Sequence, residues 1–147
     1  MSVPLYDRSK SPIQFIEDSI ELTKDVVAWA KRQSKRSFDF FVKDLIIAAG
    51  NTLYYSLIAN KIRLNSEKNY KKRQEYFGIA IDNIKDFHRI LTIIYYANIN
   101  PVTENQLDKW TGLARKINKQ IDNISKSDKK RMLEMGVLPT KAKNDKK

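Results

Sequence analysis

A chain of 147 residues, 41% of them apolar, is sized for one domain around one core and is too short for two substantial ones. It has no cysteine, which excludes disulfide staples, cysteine-based zinc sites and thiol nucleophiles, and is compatible with a reducing compartment. Lys and Arg number 28 against 17 Asp and Glu, and the excess is regional: residues 1–30 hold three cations and five anions, the remaining 117 residues 25 and 12.

The N-terminal stretch MSVPLYDRSKSP has no continuous apolar run and carries Asp7, Arg8 and Lys10, so it does not read as a secretory signal, and a cytoplasmic location is expected. A first helix is expected to open at Ser11-Pro12-Ile13-Gln14. Ser11 can accept a backbone N–H, Pro12 suits the first helical position and Gln14 can complete a capping box. Its stripe runs Ile16, Ile20, Thr23, Val27 and Ala30, with Trp29 adjoining. Glu17, Asp18 and Glu21 come early and Lys31, Arg32, Lys35 and Arg36 late, which suits the helix dipole.

Ser37 can start a second helix with the stripe Phe38, Phe41, Leu45, Ala48, Thr52, Tyr55, Ala59 and Ile62. A second set, Val42, Ile46, Ala49, Leu53 and Leu57, widens the apolar surface beyond one bundle seam. Either this helix is central or its other side meets another subunit, and a four-helix bundle favours the subunit. The uncharged run Leu45 to Asn60, 16 residues with Gly50, Asn51, Thr52, Ser56 and Asn60, is too short and too polar for a membrane span, so no membrane partner is expected.

After the polar segment Asn65 to Asn69, a third helix carries Tyr70, Phe77, Ile81, Ile84, His88, Leu91 and Tyr95, and its end, Ile90 to Ala97, is uncharged. Asn100-Pro101 breaks it. Thr103-Glu104-Asn105-Gln106 then fits a capping box, with Val102 and Leu107 at the two positions of a hydrophobic staple. The fourth helix, with stripe Leu107, Trp110, Ala114, Ile117, Ile121 and Ile124, is expected to end near Ser125. Lys126 to Lys147, with eight cations and three anions, reads as a basic tail with at most a short helical turn at Asp128 to Met135 before Gly136. The expected fold is all-α: an antiparallel up-down-up-down four-helix bundle over residues 12–125, oligomeric, with an N-terminal arm (1–11) and a basic C-terminal tail (126–147).

Catalytic chemistry finds little support. Gly50, Gly78, Gly112 and Gly136 are scattered singly, so no phosphate loop forms. A di-iron bundle needs two Glu-x-x-His pairs, and His88 is the sole histidine with no Glu three residues before it. The arginine that a HEPN-type ribonuclease places before its histidine has no counterpart among Ile81, Asp82 and Asn83. His88 falls on the apolar stripe and reads as a hydrogen-bonded core histidine rather than a general base. Asp82 and Asp86, flanked by Lys85 and Arg89, read as a solvated face. No enzyme, catalytic residue, metal site or cofactor is expected.

The basic clusters remain. In an antiparallel bundle Lys31, Arg32, Lys35 and Arg36 lie at one pole. Lys61, Arg63, Lys68, Lys71, Lys72 and Arg73 lie at the other, expected to be joined there by Arg115, Lys116, Lys119 and the tail cations. Such a cluster suits sequence-tolerant, salt-dependent binding of nucleic acid, with an acidic protein as the alternative partner. Tyr70 and Tyr76 sit among these cations and could stack on unpaired bases, although Tyr70 also suits the core.

From Ala30 to Ile124 a basic stretch (KRQSKR) precedes Ser37-Phe38, then come FFVKDLIIAAGNTLYYSLIANK, a polar turn, a helix ending FHRILTIIYY, and PVTENQL opening the last helix. In this order and spacing the chain resembles the accessory variability determinant (Avd) proteins of diversity-generating retroelements, within a broader group of small four-helix bundles that includes proteins encoded in rRNA intervening sequences. The resemblance implies a non-enzymatic partner of a reverse transcriptase in mutagenic reverse transcription, a ring-like homopentamer whose positive surface engages the enzyme and its template RNA or cDNA. Polyanion contact is then expected from Arg32, Arg36, Arg63, Lys71, Lys72, Arg73, Arg115 and Lys119. The rival readings are an intervening-sequence-type bundle without a reverse transcriptase and a protein-interaction scaffold.

Overall fold

The computed structural model describes residues 13–37 and 41–138. These residues form four long helices and no strand among them: α1 (Gln14–Lys31), α2 (Lys43–Lys61), α3 (Glu67–Tyr96) and α4 (Glu104–Glu134), with a single helical turn at Lys35–Ser37 between α1 and α2. α1 packs on α2 and α4, and α3 packs on α2 and α4, so the helices enclose one core in which Trp29, Trp110, Phe15, Phe77 and Phe87 are fully buried. The expected start signal at Ser11-Pro12, the N-terminal arm, Phe38 and the last nine residues of the tail lie outside the described residues.

α1 buries Ile16, Trp29 and Ala30 as the apolar periodicity suggests, but the middle of the expected stripe does not face the core. Phe15, Leu22, Val26 and Trp29 face inward, while Ile20 is 41% exposed and Val27 is half-buried. Ser19 completes the inward face. Its hydroxyl donates to the Phe15 carbonyl at 2.7 Å, so a small polar side chain sits in the core without an unpaired group. Thr23 donates to the Ser19 carbonyl at 2.7 Å and to the Ala49 carbonyl at 3.3 Å, linking α1 to α2. At the far end, the Trp29 indole meets Trp110 edge-on with centroids 5.8 Å apart, and its Nε1 donates to the Pro101 carbonyl at 2.8 Å. The last turn of α1 is thereby fixed against the loop that precedes α4.

The inward positions of α2 are mostly small: Ala48, Ala49, Thr52, Ser56 and Ala59 are buried beside Leu45. Small side chains let the backbone come close to its neighbours, and Thr52 returns its hydroxyl to the Ala48 carbonyl at 2.8 Å. α3 opens at Ser66, whose hydroxyl accepts the Asn69 N–H at 3.1 Å. It closes with Asn98 in the left-handed region (φ 57), where Ile99 N–H donates to the Ile94 carbonyl and Asn98 N–H to Tyr95.

The expected capping box forms in both halves. Thr103 Oγ1 accepts the Gln106 N–H at 3.0 Å, and Thr103 N–H donates to Gln106 Oε1 at 2.9 Å. From there α4 runs to Glu134, nine residues beyond the expected end at Ser125, and stops at Gly136 (φ 76) with Val137 N–H on the Met132 carbonyl. The expected end of the fourth helix near Ser125 is therefore corrected. The seam of Ile117, Ile121 and Ile124 continues through buried Asp128 and Met132, and Asp128 hides the continuation because a carboxylate does not read as apolar.

What makes the continuation possible is Arg73. Its Nε lies 2.6 Å from Asp128 Oδ2, with the Asp128 side chain 3% and the Arg73 side chain 12% exposed. Removing one member of a buried pair strands the other charge. Asp128→Ala is expected to lower unfolding free energy by about 3–5 kcal/mol in urea titrations. Asp122→Ala, which removes the exposed partner of Lys126, is expected to change it by no more than about 0.5 kcal/mol. Equal effects would show that Asp128 is not a core element.

Candidate nucleic-acid interface

Arg73 organises one end of the bundle. Besides the Asp128 carboxylate, its guanidinium donates to the Ala59 carbonyl at 3.1 Å, which also accepts the Ile62 N–H at 3.1 Å, and to the Ile62 carbonyl at 3.3 Å, where α2 ends. Its carbon sits 5.0 Å from the centroid of the Phe77 ring, a cation–π contact. Gln74 Nε2 adds a bond to the Ser125 carbonyl at 3.4 Å. The end of α2, the start of α3 and the last turns of α4 are thus held at one place. Arg73 was expected among the polyanion contacts; it is instead turned inward and fully engaged, because Asp128 and two backbone carbonyls need its donors.

Around this clamp stand exposed cations. Arg63, Lys68, Lys71 and Lys72 come from the α2–α3 side, and Lys126, Lys129, Lys130 and Arg131 from α4. Lys71 is paired with Glu67 at 3.1 Å and Lys126 with Asp122 at 3.1 Å, both as exposed pairs that yield readily to a stronger anion. Tyr70 is half-buried here. Burial, and secondarily the negative charge of Asp128, push its phenol above the usual value of 10.0. Tyr76 stacks on Tyr55 with centroids 6.0 Å apart, so this ring already has a partner within the bundle.

Arg115 and Lys119 do not join that pole. They are exposed in the middle of α4, and Arg115 precedes Asp128 by thirteen residues, about 20 Å along a helix. The expectation that they crowd the same end fails because α4 is longer than its apolar residues suggest. Arg32 and Arg36 are exposed at the opposite end, where Arg32 donates to the Ala28 carbonyl at 3.2 Å and borders a hollow with Asn105, Gln106 and Lys109. The eight expected contacts therefore resolve into a pole (Arg63, Lys71, Lys72), a mid-bundle flank (Arg115, Lys119), a far end (Arg32, Arg36) and one internal clamp (Arg73).

Other α4 cations are spent on the acidic first helix. Lys109 Nζ lies 2.6 Å from Asp25 and 3.2 Å from Glu21, and Lys116 lies 3.7 Å from Asp18. Hydrogen bonds to Asp25 first and Glu21 next hold the Lys109 ammonium above its ordinary value of 10.5. Asp18, only 4% exposed, also accepts from Gln14 Nε2 at 3.0 Å and Gln120 Nε2 at 2.9 Å. His88, expected in the core, is half-buried and lines a hollow between α3 and α4 with Arg89 and Arg115. Asp86 and Arg89 form an exposed pair at 2.7 Å, and Asp82 is exposed. Among the described residues no group of three His, Cys, Asp or Glu side chains is placed to hold a metal ion, and no helix is long and apolar enough to cross a membrane.

No protein-family model matches the chain, and comparisons with curated proteins and with solved structures likewise give no match.

The two raised groups contribute to the fall of stability at alkaline pH. The folded protein holds both protons more tightly than the unfolded chain, so their contribution is complete below about pH 10 and is lost as pH rises through the raised folded-state values. Melting temperature is expected to be level from about pH 8 to 9 and to fall above about pH 10. Tyr70→Phe should make that fall shallower, and a variant with an unchanged alkaline slope would remove Tyr70 from the account.

Proposed function

We propose that this protein is a non-enzymatic, nucleic-acid-binding accessory protein of a diversity-generating retroelement, partnering a reverse transcriptase and its template RNA or cDNA in the cytoplasm. One observation carries the nucleic-acid reading: the buried Arg73–Asp128 pair gathers Arg63, Lys68, Lys71 and Lys72 with Lys129, Lys130 and Arg131 at one end of a rigid bundle. Fixed cations that release counterions from phosphates give tight, sequence-tolerant binding. The reverse transcriptase rests on the resemblance in the order and spacing of the sequence. The resemblance also suggests a homopentamer.

An antiparallel up-down-up-down course is supported by three contacts that join early to late segments: Trp29 with Pro101, Asp18 with Gln120, and Arg73 with Asp128. Self-association is supported by Ile47, Tyr54 and Leu57, which are 48%, 58% and 40% exposed on a stretch of α2 without a charged residue.

Binding to a labelled single-stranded RNA measures the central claim. Lys71→Glu with Lys72→Glu is expected to lower affinity at least tenfold near 0.1 M salt and to reduce the slope of log K against log salt by about 1.4. Arg73 is left intact so that the fold is preserved. Affinity and slope unchanged from the native protein would overturn the pole as a polyanion site. Copurification from the native host without a reverse transcriptase, together with a monomer by light scattering, would overturn the accessory role.

A further inference from the structure

The flank between α3 and α4 carries a feature that the pole does not explain. Two adjoining hollows, of about 180 and 280 Å³, share His88 and Arg115. The first is bordered by Lys85, Arg89 and Asn118, the second by Thr92, Tyr96 and Thr111. Together they follow α3 from Lys85 to Tyr96, about 16 Å of helix. One end is thus cationic and the other is polar and aromatic.

We infer that this groove is a second nucleic-acid site, in which a phosphate of a single strand sits among Lys85, His88, Arg89 and Arg115 and the adjoining base stacks on Tyr96. The inference rests on the nucleic-acid reading of the pole but concerns different residues. No carboxylate among the described residues pairs with Lys85 or Arg115, so their charge is not neutralised within the bundle. Arg89 is paired with Asp86, yet both side chains are more than half exposed, and such a pair yields to a phosphate that accepts two hydrogen bonds from a guanidinium.

The polarity of the groove sets the orientation of the strand. Among the described residues Asp108 is the only carboxylate lining either hollow and lies in the Tyr96 hollow, so it disfavours phosphate there and leaves that end to the base. Tyr96 is 76% exposed and is held edge-on by Tyr95 with centroids 5.0 Å apart, which leaves a face open. A ring presented this way has no hydrophobic reason to face water and suits stacking on any base. Thr111 and the Thr92 hydroxyl, which donates to the His88 carbonyl at 2.8 Å, supply polar atoms along the path. A duplex offers no unpaired base to Tyr96, so the ligand is single-stranded.

The test uses the full chain with fluorescein-labelled oligouridylate and, as a polyanion without bases, labelled heparin oligosaccharide. Arg89→Gln with Arg115→Gln is expected to weaken oligouridylate binding about tenfold and to lower the salt slope by about 1.4. Tyr96→Ala should weaken oligouridylate about fivefold or more and leave heparin unchanged. Circular dichroism establishes that these exposed substitutions leave the helices intact. Crosslinking of 4-thiouridine-substituted oligonucleotide is expected to mark the α3 peptide that contains Tyr96. If oligouridylate binds both variants as it binds the native protein while Lys71→Glu with Lys72→Glu abolishes binding, the groove is overturned and the pole stands. If the native protein binds no oligonucleotide, the nucleic-acid reading and the groove fall together.

Discussion

The bundle depends on one buried ion pair. Asp128 occupies a position on α4 where the seam otherwise carries isoleucine, and an unpaired carboxylate there would cost several kcal/mol. Arg73 removes that cost with a short charge-assisted bond and turns Nη1 to the Ala59 and Ile62 carbonyls at the end of α2. An apolar pair could fill the same volume, but it could not cap α2. The ion pair therefore fixes the relation of three helix ends, and with them the place where the flanking cations converge.

The distribution of charge over the surface follows from which cations the first helix consumes. Asp18, Glu21 and Asp25 lie along α1, and Lys109, Lys116 and Gln120 of α4 meet them. That contact neutralises one flank. The opposite flank of α4 faces α3, where Lys85, Arg89 and Arg115 meet fewer anions, and the excess positive charge collects there and at the clamped pole. A chain with a uniform excess of Lys and Arg would have no such preference. Here the acidic first helix acts as an internal counterion and gives the molecule a positive side.

Local signals in the sequence were legible where they depend on a few adjacent residues. Thr103 and Gln106 specify the start of α4, and the apolar period picks out Phe77, Ile84 and Leu91 on the buried face of α3 and Trp110, Ala114, Ile117 and Ile121 on that of α4. Signals that depend on distant partners were not. Ser19 counts as polar until its hydroxyl is seen on the Phe15 carbonyl, and so the inward face of α1 is read through Ile20 rather than Phe15 and Leu22. Asp128 counts as a tail charge until Arg73, 55 positions earlier, is seen beside it. The displaced end of α4 then misplaces Arg115 and Lys119, whose identities were read correctly and whose neighbourhood was not. His88 fell on the apolar stripe in the sequence but stands at the lip of a groove, because the inward position of that turn belongs to Phe87.

The small residues of α2 complete the picture. Ala48, Ala49, Thr52, Ser56 and Ala59 fill its inward face and leave little room for larger side chains, so Ile47, Tyr54 and Leu57 are not needed inside and stand in solvent. α2 makes its substantial contacts with α1 and α3, and α4 lies across the core from it. The apolar outer face of α2 and the cationic flank of α3 and α4 are therefore separate surfaces of one rigid body. Surfaces of such different chemistry suit different partners, an apolar one that excludes water and a polyanion that keeps its hydration. Because the two do not overlap, covering the apolar face leaves the cationic flank free.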